Sequence, residues 1–163
     1  MNKSDEIFMD ANGIIAAFAV KAWKPLAAFF RLNTTDSCVI EAATGDRSRK
    51  TYIPVDDALV RMTATILKPT TKQLAQLDLS LRGVILDAGE RDLLACAMTH
   101  PGAWLLCSSD KAAVCAMHVL GNLDRVVSLE ALTRTAKIGV SLGEPFTEKW
   151  MGGVRTQLLL ESL

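Results

Sequence analysis

Three short segments whose central residues are apolar are the feature that most restricts what this chain can fold into. They are residues 7–9, 103–107 and 125–128, and helical patterns lie between them. Strands without polar alternation are typical of a sheet that is buried on both faces. Because these strands alternate with helices, the sequence predicts an α/β fold in which a parallel sheet with right-handed crossovers lies between helices.

Apolar periodicity and capping residues predict the elements between these strands. A helix over 14–23 follows the first strand, and a second helix, with cap residues at 34–36, runs to residue 43. Residues 50–55 are predicted as a strand that Pro54 weakens. The further helices are predicted over 56–67, 70–79, 92–99, 111–120 and 130–136.

Length and composition set the domain organisation. Half of the 163 residues are hydrophobic and 22% are charged, which is the composition of a folded domain with its own core. We therefore predict a single domain over residues 1–163, with its core within 7–136. Residues 139–163 form a C-terminal tail in which glycines and a proline leave the structure undetermined.

The charge balance excludes a strong overall attraction to polyanions. The formal net charge is zero and the isoelectric point is about 6.7, so contact with nucleic acid would have to be local. Arg47, Arg49 and Lys50 form the densest basic run and are the candidates for such a contact. A charged run of this kind most often lies in a solvated loop, and that alternative stays open.

Cysteines and apolar segments predict a reducing, aqueous compartment. The four cysteines include no CxxC pair and lie among apolar neighbours, as reduced thiols do. Acidic residues stand near the N-terminus where a signal peptide would carry an apolar run. The most apolar early segment, 13–30, contains Lys21, Lys24 and Pro25 and is a poor membrane span. We expect a cytoplasmic protein with no membrane partner.

Acidic residues fall where the predicted strands end. Asp10 follows the first strand, Asp110 follows the strand over 103–107, and Glu90 opens the helix that leads into that strand. Glu41 is an acid among apolar neighbours on the second helix. Ligands of parallel sheets bind outside the carboxyl ends of the strands, so we expect these four acids at one rim.

Such a cluster has a distinct chemistry. Neighbouring carboxylates repel one another, and they either take up protons or are balanced by a cation. Oxygen ligands without His or Cys suit Mg²⁺ or Mn²⁺, and two such ions could support displacement at a phosphodiester. Each acid also has a local alternative, because Asp110 could cap its helix, Glu90 could complement a helix dipole and Asp10 could stabilise its turn.

Four segments of the chain resemble, in order, the motifs of the PIN domain, a nuclease family whose bacterial members include VapC-type toxins. They are IFMDANGII, LDAGERDLLACA, LLCSSDKAAVCAMHVLG and VVSLEALTRTA. The resemblance covers most of residues 7–136, and the segment 47–81 matches poorly. It implies a three-layer α/β/α fold with a central, mostly parallel sheet of about five strands.

The resemblance also implies roles for individual residues. Asp10, Glu90 and Asp110 would bind Mg²⁺ or Mn²⁺, and Glu41 matches a further catalytic acid on the second helix. Ser108 would support the last Asp, and Asn12 would shape the first turn. The implied activity is cleavage of RNA by a metal-dependent endoribonuclease. The implied partners are an antitoxin protein and a second copy of the chain in a homodimer.

Two departures from the family pattern keep other functions open. Many relatives carry a second Asp where this chain has Ser109, and an Arg where it has Val114. A PIN-like module that binds RNA or protein without cutting is therefore an alternative. A haloacid-dehalogenase-type phosphatase is a third, since FMDANG resembles its nucleophile motif, but Asn12 replaces the second acid that its chemistry needs.

Overall fold

The computed structural model describes residues 1–44, 52–81 and 83–162. Their strands are β1 (Glu6–Met9), β2 (Arg31–Thr35), β3 (Thr65–Leu67), β4 (Trp104–Cys107) and β5 (Val126–Val127). Their α-helices are α1 (Ala11–Ala19), α2 (Trp23–Phe29), α3 (Asp36–Ala43), α4 (Asp57–Thr63), α5 (Thr71–Ser80), α6 (Ala88–Met98), α7 (Lys111–Val119), α8 (Leu129–Thr135) and α9 (Glu148–Glu161).

The five strands form one parallel sheet in the order β3-β2-β1-β4-β5. After β1, the chain adds β2 and then β3 on one side of the sheet, and later β4 and β5 on the other side. The direction of building therefore reverses between β1 and β4, where open α/β sheets form their ligand crevice. The register pairs Met9 with Cys107, so the residues that follow these two strands emerge side by side.

Helices cover both faces of the sheet, which makes the fold a three-layer α/β/α architecture. Successive side chains of a strand point to opposite faces, yet Ile7, Phe8 and Met9 are all fully buried. Leu106 and Cys107 of β4 are buried in the same way. Burying a large apolar side chain contributes roughly 1.5–3 kcal/mol, so these central strands hold the layers together.

Side-chain caps set where most of the helices begin. An Asp, Ser or Thr just before the helix accepts a hydrogen bond from a backbone N–H of the first turn, which would otherwise lack a partner. In α5 and α6 the cap is a reciprocal capping box, in which the third helical residue bonds back to the cap. The capping residues are Asp10, Thr35, Asp56, Thr70, Asp87, Asp110, Ser128 and Thr147.

The predicted strand over 50–55 was wrong where the structure describes it. Residues 52–55 form no strand, and the sheet edge is instead β3, within the segment predicted as the end of a helix over 56–67. Helix α4 ends at Thr63, whose hydroxyl accepts a hydrogen bond from the Trp23 indole at 3.0 Å. The next residues pair with β2, so a distant strand decides their conformation.

The predicted helix over 14–23 is divided in two. Helix α1 ends at Ala19, Lys21 adopts a left-handed conformation with φ of 57°, and α2 begins at Trp23. The two helices pack against each other, and Phe18 stacks on Trp23 with ring centroids 5.5 Å apart. The turn at Lys21 therefore lets one apolar segment form two helices, of which α2 packs on β2 and α1 packs on α3.

The C-terminal tail contributes a long helix to the same core. Met151 and Val154 of α9 are buried in the hydrophobic cluster that contains the central strands. Helix α9 packs on α7, and the Arg155 guanidinium donates a hydrogen bond to the Val126 carbonyl of β5. Within the ranges described, no helix has both the length and the apolar character that a membrane crossing requires.

Candidate functional site

Asp10 lies where the order of the strands reverses, directly after β1. Its carboxylate is buried and accepts two hydrogen bonds: the backbone N–H of Gly13 donates to Oδ1 at 2.6 Å and the Ser108 hydroxyl donates to Oδ2 at 2.5 Å. The first bond caps α1, and the second joins the ends of β1 and β4. Since a carboxylate oxygen has two lone pairs, each oxygen can still accept one more interaction.

Ser108 links Asp10 to the second acid at this edge. Its hydroxyl oxygen accepts a hydrogen bond from the backbone N–H of Asp110 at 3.1 Å while the hydroxyl donates to Asp10. Asp110 is half-buried and caps α7, because its Oδ1 accepts from the backbone N–H of Ala112 at 2.6 Å. Asp110 is therefore a helix cap at the candidate site, with Oδ2 outside that capping interaction.

Glu90 enters the site from the first turn of α6. It forms a capping box with Asp87: the Glu90 backbone N–H donates to Asp87 Oδ1 at 2.8 Å, and the Asp87 backbone N–H donates to Glu90 Oε2 at 3.3 Å. Asp87 is exposed, but Glu90 itself is only 8% exposed. The capping box therefore orients a buried carboxylate. The same hydrogen bonds that begin α6 also hold Glu90 in the candidate site.

Burial is the main influence on the Asp10 carboxyl. It raises the pKa of Asp10 from its ordinary 3.8 to about 6, although the hydrogen bonds from Ser108 and Gly13 favour the charged form. The charges of Asp110 and Glu41 raise this pKa further. Asp10 is therefore a carboxyl whose negative charge is poorly compensated by the residues around it.

Glu90 and Glu41 are affected in the same direction. Burial raises the pKa of Glu90 to about 8, and the charges of Asp110, Asp87 and Asp10 add to the effect. Burial also raises the pKa of Glu41, with the charge of Asp87 second. The charges that raise these pKa values all belong to other carboxylates, so the acids act on one another as a cluster.

The oxygen donors of this cluster match a hard divalent cation better than a transition metal that prefers nitrogen or sulfur. Among the residues that the structure describes, no three His, Cys, Asp or Glu side chains are arranged to coordinate one ion. Mg²⁺ is usually held by one or two carboxylates and completes its shell with water and substrate phosphates. The donor chemistry thus fits Mg²⁺ or Mn²⁺ held by few protein ligands.

The side chains of Asn12 and Val114 take no part in the hydrogen bonds that hold the acids. Asn12 lies in the first turn of α1 with an exposed side chain, and the turn is stabilised by Asp10 and Gly13 instead. Arg47, Arg49 and Lys50 lie outside the described residues. Ser109 is half-buried between Ser108 and Asp110, and Val114 is fully buried on α7.

Two glycines that the sequence analysis passed over make room for the acids. A Cβ added at Gly13 would lie 3.0 Å from Asp10 Oδ1, and one added at Gly89 would lie 2.8 Å from Glu41 Oε2. Both residues lie in the first turn of a helix, where Ala is otherwise favoured over Gly. A glycine in the first turn of an apolar helix, next to an acid, is the signal that could have identified them.

No protein-family model matches this chain. The search of curated proteins likewise gave no match, so the geometry and the sequence motifs are the basis for a functional assignment.

Proposed function

We propose that the protein is a metal-dependent endoribonuclease that uses Mg²⁺ or Mn²⁺ to cleave RNA. One observation carries this proposal: the buried Asp10 and Glu90 and the half-buried Asp110 act on one another electrostatically where the strand order reverses. Buried carboxylates that repel one another are stabilised by a cation. The order of the motifs along the chain, which resembles that of PIN domains, supports RNA as the substrate.

Each acid has a role that follows from its contacts. Asp10 would bind the metal with its remaining lone pairs, while Gly13 and Ser108 hold its orientation. Asp110 would bind through Oδ2, since Oδ1 caps α7. Glu90 is oriented by the Asp87 capping box, and Glu41 adds charge from α3. The bound ion would orient a water molecule and stabilise the negative charge that develops on the phosphate.

Cleavage of single-stranded RNA in defined metal conditions tests the activity. We expect the purified chain to cut RNA with Mn²⁺ or Mg²⁺, to stop with EDTA, and to lose cleavage on Asp10→Asn or Asp110→Asn. Asp124→Asn removes an exposed carboxylate elsewhere and should keep full activity. Circular dichroism of each variant shows whether lost cleavage is due to lost folding.

A non-catalytic PIN-like module is the second candidate, and Ser109 favours it. Ser109 stands where many relatives carry a further acid, so this site has one carboxylate fewer than they do. Binding of RNA without cleavage under any divalent ion would establish this alternative over the nuclease. Turnover of a phosphomonoester by the same preparation would instead support a phosphatase.

We further propose that the chain is the toxin of a toxin–antitoxin pair and acts as a homodimer in the cytoplasm. Expression of the wild type should then arrest growth, and expression of the Asp10→Asn variant should not. A small reading frame next to the gene, whose product relieves the arrest, is the expected antitoxin. Size-exclusion chromatography with light scattering tests the dimer, and a monomeric mass across the working concentrations would exclude it.

A further inference from the structure

We propose that Gly89 is a positioning residue, whose missing side chain lets the Glu41 carboxylate reach the acid cluster. The inference rests on the proposed function where it concerns the metal. The geometric part, that a side chain at residue 89 would displace the Glu41 carboxylate, can be tested without it. Gly89 itself would touch neither the metal nor the substrate.

The contact joins two helices that are far apart in the chain. Glu41 lies on α3 and Gly89 lies in the first turn of α6, and these helices pack against each other. A Cβ at Gly89 would be 2.8 Å from Glu41 Oε2, and since Oε2 ends an exposed, flexible side chain, the Glu41 carboxylate would be the group that moves. The Cys38 thiol, which donates to the Gly89 carbonyl at 3.4 Å, would be 3.5 Å from the same Cβ, an ordinary contact.

Backbone conformation gives no reason for glycine at this position. Gly89 is helical, and its φ is not positive. Glycine in a helix is disfavoured relative to alanine, since it loses more backbone entropy on folding. The space that Glu41 occupies is therefore the feature of the structure that accounts for Gly89.

The position of Glu41 matters because its charge reaches the centre of the cluster. The Glu41 charge contributes to the raised pKa of Asp10, and Asp87 acts on Glu41 in turn. With a side chain at residue 89, the Glu41 carboxylate would have to rotate out of this position. The cluster would then lose one of the negative charges that favour a divalent cation.

A double-mutant cycle measured in EDTA tests the geometric part. We expect Gly89→Ala to raise Tm less in the wild-type background and in the Glu41→Gln background than in the Glu41→Ala background, because Glu and Gln have the same size and the exposed end of either side chain has to move aside. In the Glu41→Ala background the clash is absent, and Gly89→Ala should raise Tm by about 1–4 °C, as replacing a helical glycine normally does. Gly152→Ala is the matched control, since a Cβ at Gly152 in α9 meets nothing within 4 Å, and it should raise Tm in every background.

Mn²⁺ binding, measured by calorimetry on the same variants, tests the positioning role. Gly89→Ala and Glu41→Gln should each weaken Mn²⁺ binding by roughly 10-fold, and the double variant should be no weaker than either alone. Gly152→Ala should leave the affinity unchanged. If Gly89 matters only for packing, Gly89→Ala would change Tm without this shared loss of affinity, and that result would overturn the positioning role.

The outcomes separate this inference from the proposed function. If Gly89→Ala changes Tm equally in all three backgrounds, Glu41 does not determine the glycine and the inference is wrong, even when the wild type cleaves RNA. The effect of Gly89→Ala on Tm could depend on residue 41, and both residues could affect Mn²⁺ binding, while the wild type never cleaves RNA. In that case the positioning role stands and the nuclease assignment fails. If the wild type binds no Mn²⁺ at all, the metal part of both is refuted.

Discussion

Replacing Asp10 with Asn should make the protein more stable at neutral pH while it removes the acid at the centre of the proposed site. The reason is that Asp10 is 3% exposed and its negative charge is opposed by Asp110 and Glu41. Asn has nearly the same shape, so its side-chain oxygen can still accept the hydrogen bond from Gly13. The neutral amide has no charge to desolvate.

The magnitude follows from the raised pKa of Asp10. A rise from 3.8 to about 6 is about two pH units, which corresponds to about 3 kcal/mol of free energy of unfolding. Because the folded-state pKa is the higher one, the wild type has the full stabilisation by this proton below about pH 3.8 and loses it as the pH rises through about 6. The advantage of the variant should therefore grow over that window and stay constant above it.

Urea unfolding of both proteins in EDTA, between pH 4.5 and 7.5, measures this difference. The stability gap between the variant and the wild type should widen by about 2 kcal/mol over the range, with Asp124→Asn as the control that keeps the wild-type pH dependence. A gap of the same size at both ends would refute the reasoning, because it would mean that Asp10 releases its proton equally easily in the folded and unfolded chain.

Three further predictions concern the metal, the serine bridge and the core. Mn²⁺ at about one hundred times its Kd should stabilise the wild type by about 2.7 kcal/mol in thermal unfolding and leave Asp10→Asn unchanged; an equal shift in both would place the ion elsewhere. Ser108→Ala removes the hydroxyl that donates to Asp10, so the acidic limb of the pH–rate profile of cleavage should move to higher pH, and an unmoved limb would separate Ser108 from the reaction. Leu106→Ala should lower the free energy of unfolding by about 2–5 kcal/mol through a core cavity, against less than about 0.5 kcal/mol for the exposed Leu160→Ala; similar values would contradict the burial of β4.

The strands that the sequence predicted are those whose burial is visible in their composition. Strands β4 and β5 are apolar, as is β1 after Glu6, and a polar residue follows each strand, so length and hydrophobicity alone identify them. Strand β2 reads RLNTT and was missed, although Asn33 and Thr34 are buried. Their polar groups are satisfied by hydrogen bonds to other parts of the chain: Thr34 donates to the Met9 carbonyl at 2.8 Å and Asn33 donates to Glu6 at 2.7 Å.

The candidate site was predictable to the extent that it depends on strand ends. Asp10 and Asp110 each follow a recognisable strand and cap the next helix, so one local pattern located both acids. Glu90 was predicted from the rim that its helix would face, and the charges of Asp110 and Asp10 are among the causes that raise its pKa. The catalytic roles of these acids remain predictions that the experiments above decide.

The sequence by itself determined the α/β class and the parallel sheet and located the caps of α3 and α7, because apolar runs and capping residues act over a few neighbours. Only the tertiary structure decided which polar segment became β2, where the edge strand β3 lies, and that Gly89 faces Glu41. Those features depend on contacts between residues distant along the chain, such as Ser108 with Asp10. A residue's own neighbours carry no information about such a partner, and so the packing of the whole chain has to supply it.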